Sequence, residues 1–344
     1  MRILIVRLSA LGDIVHALPV LSAIKQAMPD ADVDWMVEEN YAAILSIASG
    51  LRRRIIGRAR NSFTTDAAVS FGGALGYVQA VAHLRAQEYD CALDLQGLLK
   101  SAGWARSSGA TRIIGFDKAN VRESQAATFY TETVTPPSGV HVMQKNLSLL
   151  RALGIDTTTV DMPLQPVASA ETLATIAAAG AKRYAVLNPG AAWPNKRWPP
   201  AQFGALAATL RDRLGLTSMI TWGPSERELA DTIVASSNGA ARPAPPTSVA
   251  DLAVLLRDAA LVVSGDTGPL HIAAAMGTPL VGLYGPTWPE RNGPWNPSDV
   301  VISKATSCGC HHKRQCLRGA PCINEITLDE VATAAERRLQ AAGS

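Results

Sequence analysis

The sequence lacks several features that would assign it at once. Charge of one sign is not in excess: 32 Lys and Arg stand against 29 Asp and Glu, a formal net charge of +3. Nucleic-acid backbones call for many clustered cations, so that class is not indicated. No run reaches the roughly 18 apolar residues of a membrane span. The apolar start, MRILIVRLSALGDIVHALPV, is interrupted by Gly12, Asp13 and His16 and leads to no small-residue cleavage site. It therefore does not read as a signal peptide. A cytoplasmic protein is expected, with contact to the inner leaflet of the inner membrane left open. Neither GxxxxGK[ST] nor GxGxxG occurs, which disfavours a kinase or an NAD enzyme. Cysteine is scarce, with Cys91 alone and four residues crowded between Cys308 and Cys322. In a reducing compartment these four read as thiols or metal ligands before disulfides.

What is present describes a packed globular chain of 344 residues, 47% hydrophobic and 18% charged. Domains usually run about 100–200 residues, so two are expected. Strand-like apolar runs alternate with helical patterns throughout, which predicts an α/β protein with parallel sheets. Strands are expected at 2–8, 32–37 and 89–95, with one helix over 14–28 and another near 76–87. A helix over 147–153 ends at Gly154. The aperiodic stretch 156–170, with Pro163 and Pro166, reads as the linker. The second half then offers strands at 184–187, 218–222, 261–264 and 280–284. Its helices are expected at 200–213, 225–235, 249–258, 269–276 and 328–342. Two doubly wound halves facing across a cleft are the simplest architecture, and ligands of open parallel sheets bind beyond the carboxyl ends of the strands.

Three loops at such ends carry chemistry. In Ser9–Asp13, Gly12 allows a tight turn, and Asp13 sits at a helix start, where it reads either as an N-cap or as a general base. In 188–199, backbone N–H groups around Gly190, Ala191 and Ala192 can cradle phosphate oxygens, and the Lys196 ammonium can neutralise a leaving diphosphate. The bland reading is a solvated turn anchored by Trp193 and Trp198. In 263–271, a Gly-flanked turn (Asp266, Thr267, Gly268) precedes Pro269, which suits the first turn of a helix. Free N–H groups there, with the Thr267 hydroxyl, make an anion site, while Asp266 can serve only as a cap and His271 can simply pack. A diphosphate site with no evident metal-binding carboxylate pair fits a sugar transferase that uses protein cations in place of Mg²⁺, and no cofactor is expected.

With these residues in hand, the sequence resembles the lipopolysaccharide heptosyltransferase family, glycosyltransferase family 9. The resemblance rests on IVRLSALGDIVHALP, VDWMVEE at 33–39, YDCALDLQGLLKSA at 89–102, NKRWPP at 195–200 and SGDTGPLHIAAAMGTPLVGLYGPT at 264–287. VDWMVEE and LDLQGLLKSA are most like the type I enzymes, which add the first heptose to Kdo on lipid A.

The resemblance implies a GT-B fold of two Rossmann-like doubly wound domains. The acceptor domain would be 1–162 and the ADP-sugar domain 163–327, with a helix over 328–344 packing back toward the first. It implies an inverting transfer of L-glycero-D-manno-heptose from ADP-heptose, with Asp13 as base and Lys196 on the donor phosphates. Gly12, Gly190, Ala191, Ala192, Asp266, Thr267, Gly268 and His271 would line the donor site, and Glu226 would accept from the ribose hydroxyls. Arg122, in FDKANVRESQ, falls where family members carry an arginine near the acceptor, and Gln96 and Lys100 belong to the same side. Related enzymes often have hydroxyl side chains where Ala191 and Ala192 stand. The cysteines are more like other branches of the family.

Five arginines in 51–60 stand without an acidic residue. Arg58 and Arg60 read as acceptor-binding, as contacts for anionic head groups, or as a solvated basic turn. The spacing Cys308-x-Cys310-x5-Cys316-x5-Cys322, flanked by His311 and His312, matches no standard zinc finger. Reduced thiols, a structural metal and a disulfide remain open there, and no metal is assigned to the site. The rival functions are heptosyltransferase II or another core enzyme with the same donor, a UDP-sugar enzyme of the same fold such as an epimerase, and a non-catalytic nucleotide-sugar-binding protein. The last has no use for a base at Asp13.

Overall fold

The computed structural model describes residues 1–58, 62–65, 70–71, 76–180, 183–311, 313–316 and 318–342, without the side chains of 58, 62–65 and 70–71. Arg60, His312 and the Arg58 side chain thus lie outside the described residues. The chain divides into two compact units, Met1–Gln165 and Pro166–Ser344. Residues 163–165, expected in the second half, belong to the first. Pro163 O accepts from Ser49 N and Ile47 O from Gln165 N, each at 2.7 Å, and Leu164 bridges to Ala48.

The first unit carries strands β1 (Arg2–Val6), β2 (Asp32–Glu38), β3 (Arg53–Arg58), β4 (Ser62–Thr65), β5 (Ser70–Phe71), β6 (Cys91–Asp94), β7 (Arg112–Phe116) and β8 (Glu132–Val134). They form one sheet in the order β5-β4-β3-β2-β1-β6-β7-β8. Pairing is parallel except where β4 meets β3 and β5. β1 lies inside the sheet, and Ile3, Leu4, Ile5 and Val6 are wholly buried. Burial on both faces explains a continuous apolar run rather than alternation, each side chain contributing about 1.5–3 kcal/mol.

The second unit holds β9 (Tyr184–Asn188), β10 (Thr217–Ile220), β11 (Ala241–Pro243), β12 (Leu261–Gly265), β13 (Leu280–Tyr284) and β14 (Val300–Ser303). Their order is β11-β10-β9-β12-β13-β14, parallel throughout. Both sheets are therefore doubly wound, as in the two-domain GT-B architecture.

Several elements differ from expectation. The single helix over 14–28 is two, Leu11–Val15 and Leu18–Ala27. Pro19 has no N–H to offer the Val15 carbonyl and starts a new helix instead. Arg53–Arg58 of the arginine run is strand rather than turn: β3 pairs with β2, and Ile55 is buried to 3% exposure. Arg52 enters the fold beside it, donating to both Asp34 oxygens at 2.8 and 2.6 Å.

The terminal helix Leu328–Ala342 packs on the second unit's own helix Pro200–Leu214 and on β13 and β14. Val331, Ala334 and Ala335 supply the apolar face, and the Arg338–Asp299 pair at 2.8 Å fixes it. No described helix is long and apolar enough to cross a membrane.

Candidate active site

In each sheet the strand order reverses at one strand, whose two neighbours both come later in the chain and lie on opposite sides of it: β1 between β2 and β6, and β9 between β10 and β12. At such switch points the loops leaving the two central strands diverge and open a crevice. The loops leaving β1, β6, β9 and β12 are the ones that hold most of the expected site residues.

In the first unit, Asp13 is the third residue of the helix Leu11–Val15, not its cap. Its Oδ2 lies 2.9 Å from the Arg7 guanidinium and 3.4 Å from Ala10 N. The same guanidinium donates to Leu95 O at 2.5 Å, just beyond β6. Gln96 binds the β1 loop from that side, accepting from Leu8 N at 2.7 Å and donating to Ser9 Oγ at 3.3 Å. Asp94 anchors Gln96 in turn. Wholly buried, it accepts from the Gln96 and Gly97 N–H groups, Ser101 Oγ and Tyr130 Oη. Burial pushes the Asp94 carboxyl up, and the Tyr130, backbone and Ser101 hydrogen bonds offset this only in part.

The remaining acceptor-side residues are less concentrated. Gly97 takes φ +70° and presses on the turn 121–123, whose Arg122 and Glu123 N–H groups both donate to Gly97 O. Arg122 is thereby brought beside Gln96, with an exposed side chain. Lys100 is paired with Glu38 at 2.7 Å.

In the second unit Asp266 is a hub. Its Oδ2 accepts from Lys196 Nζ at 2.5 Å and Thr287 Oγ1 at 2.8 Å, and its Oδ1 meets Asn292 Nδ2 at 3.0 Å and His271 Nε2 at 3.2 Å. Burial opposes its ionisation, but the His271 hydrogen bond and the His271 and Lys196 charges hold the carboxyl far below the usual range. Lys196, expected as the cation for a leaving diphosphate, is paired with Asp266 and also sits 4.8 Å over the Trp193 ring. His271 is buried and engaged with Asp266.

The helix Gly268–Ala275 offers fewer N–H groups than expected. Pro269 has none, and the Leu270 and His271 N–H groups return to Thr267 O. Asn188 joins the two loops, donating to Gly190 O, Ser264 Oγ and Thr267 Oγ1 at 3.0–3.3 Å. Glu226 accepts from Gly223 N at 3.0 Å and lies 3.5 Å from Arg197, which also donates to Ala191 O. Gly190 leaves room for the Glu226 carboxylate, since a Cβ there would stand 2.3 Å from Glu226 Oε2 unless that side chain moved.

Sequence reasoning missed Arg7, Asp94, Asn188, Arg197, Thr287 and Asn292. Most of them sit inside the motifs quoted above, so the signal was position within the motif rather than residue type.

The four cysteines form a sulfur-rich cluster of their own. Cys308, Cys310 and Cys322 are buried, Cys316 packs against them, and all are free thiols. Cys308 and Cys310 Sγ are 3.4 Å apart. Burial and the Cys308 hydrogen bond push the Cys322 thiol up to about 12. Among the described residues no group of three or more His, Cys, Asp or Glu side chains is arranged to hold a metal ion.

Comparison with known proteins decides the family. The model of glycosyltransferase family 9 (heptosyltransferase) matches residues 78–320. The chain belongs to glycosyltransferase family 9. It is 33% identical over 325 residues to lipopolysaccharide heptosyltransferase 1 of Pseudomonas aeruginosa, covering 92% of this chain and 87% of that one. The structure of Escherichia coli heptosyltransferase WaaC with ADP superposes at TM-score 0.78 and 26% identity, covering 98% of this chain and 100% of that one. The same enzyme with ADP-2-deoxy-2-fluoro heptose gives 0.76 at 26% identity, covering 98% and 99%. This family 9 chain is thus a glycosyltransferase, a heptosyltransferase of the lipopolysaccharide core with the GT-B fold.

Proposed function

We propose that the protein transfers L-glycero-D-manno-heptose from ADP-heptose to Kdo of the lipopolysaccharide inner core, as a type I enzyme and with inversion. Asp13 takes the proton of a Kdo hydroxyl as that oxygen attacks the anomeric carbon. ADP leaves from the opposite face, and its growing charge is met by Lys196 and by the helix start at Thr267 and Gly268. Glu226 accepts from the ribose, while Gly12, Gly190, Ala191, Ala192, Asp266 and His271 shape the donor site. Gln96, Lys100, Arg122 and the arginines at 58 and 60 meet the anionic acceptor, and the enzyme works at the inner face of the inner membrane.

The observation that carries the reading is Asp13 at the end of β1, with Oδ2 held by Arg7 and no hydrogen bond or ion pair to Oδ1 from any described residue. A carboxylate with one oxygen fixed and the other available is what proton abstraction needs. Likeness to the Pseudomonas type I enzyme and to WaaC bound to ADP and to a fluorinated ADP-heptose supports the donor and subtype.

The test is ADP release from ADP-heptose in EDTA, with and without Kdo₂-lipid A. Acceptor-dependent release is expected. Donor binding without turnover on that acceptor would move the enzyme to another core heptosyltransferase, and failure to bind ADP-heptose would overturn the donor.

A further inference from the structure

We infer that Arg7 is a positioning residue for the transfer step, holding the Asp13 carboxylate in its reactive orientation; the inference rests on Asp13 acting as the base.

Arg7 is the first residue beyond β1, at 8% exposure. An arginine is rarely buried without partners that require it. Its own backbone is fixed on both sides, the N–H donating to Met36 O and the carbonyl accepting from Trp35 Nε1, each at 3.2 Å. The side chain is therefore launched from a rigid point. One terminal nitrogen binds Leu95 O at 2.5 Å and the other binds Asp13 Oδ2 at 2.9 Å, while Nε has no hydrogen-bond partner.

The planar fork spans two elements, the end of β6 through Leu95 O and the helix that carries Asp13 through Oδ2. Leu95 O fixes the plane of the guanidinium, and the guanidinium fixes Oδ2. The orientation of Oδ1 follows, because the two oxygens of a carboxylate move together. Lysine, a point charge on a flexible stem, could hold Oδ2 or Leu95 O but would not define the plane.

Sequence position supports the same role. Arg7 lies in the stretch that carries Asp13, and its contact with Oδ2 at 2.9 Å is shorter than the one that Ala10 N makes to the same oxygen at 3.4 Å. Asp13 keeps 29% side-chain exposure, so its free oxygen is open to a ligand while its bound one is not.

The experiment compares wild type, R7A, R7K, D13A and R7A/D13A in donor affinity, kcat, acceptor KM and thermal midpoint. R7A is expected to lose about 100-fold in kcat, the scale at which misplacing a catalytic group costs rate, with ADP affinity within twofold. Added guanidinium should restore part of that loss, R7K should recover it partly, and R7A/D13A should be no slower than D13A. A fall in activity that tracks lost folded protein, with no recovery by guanidinium or in R7K, would overturn the inference. So would additive losses in the double variant, or R7A at wild-type kcat. If R7A does not fold, R7K carries the test through its kcat at unchanged donor affinity. Full activity in D13A would instead remove the base assignment, whatever Arg7 shows.

Discussion

Removing the Asp266 carboxylate should destabilise the second unit far more than removing its lysine partner. Asp266 is 4% exposed at the side chain and Lys196 15%. D266A strands a buried ammonium and also leaves Thr287, Asn292 and His271 without their shared acceptor. Breaking a buried, hydrogen-bonded ion pair by taking one partner costs about 3–5 kcal/mol, and D266A should fall at the upper end. K196M leaves the carboxylate with three remaining partners, so about 1–2 kcal/mol is expected, near one charged hydrogen bond. Removing both partners in D266A/K196M should recover at least ~1 kcal/mol relative to D266A, because no charge is then stranded. The assay is urea unfolding followed by tryptophan fluorescence, with Trp198 reporting from the second core. A D266A cost below about 1 kcal/mol, or a K196M cost equal to it, would refute the hub.

Two further outcomes follow from the geometry. G190A drives a Cβ into Glu226 Oε2 at 2.3 Å, and because the obstacle is a side-chain tip the fold should hold within ~1 kcal/mol. Glu226 must move, so ADP affinity measured by calorimetry should drop about tenfold, or ~1.4 kcal/mol; unchanged affinity would separate Glu226 from the donor. The raised Asp94 carboxyl means the folded first unit binds more protons than the unfolded chain just above the ordinary aspartate range. Its stability should therefore fall as pH rises from about 4 through the raised native value, then level off. D94N should abolish that slope, since the Ser101 and Tyr130 hydroxyls can turn to accept from an amide. Equal slopes in wild type and D94N would contradict it.

Much of this was legible in the sequence because buried parallel strands announce themselves as short apolar runs. β13 at Leu280–Tyr284 and the terminal helix Leu328–Ala342 fall on the residues expected. Short or arginine-rich strands were not legible. β3 is written largely in arginines around the buried Ile55, and the edge strands β8 and β11 are three residues each, too short for any period. Helix placement failed where one proline decided it, at Pro19.

The site was legible as loops and not as a network. Asp13, Lys196 and Asp266 stand out as charges at strand ends. That Lys196 answers Asp266, or that Arg7 joins Asp13 to Leu95, depends on which strands lie side by side. Strand order is a long-range property that local patterns do not carry, and the packing of the terminal helix on its own sheet is unreadable for the same reason.

The most direct test of the central claim is D13A measured twice, for ADP-heptose affinity and for turnover onto Kdo₂-lipid A. The account predicts donor affinity within twofold of wild type and turnover reduced about 10²–10⁴-fold, the share a general base typically contributes. Wild-type turnover in D13A would contradict it.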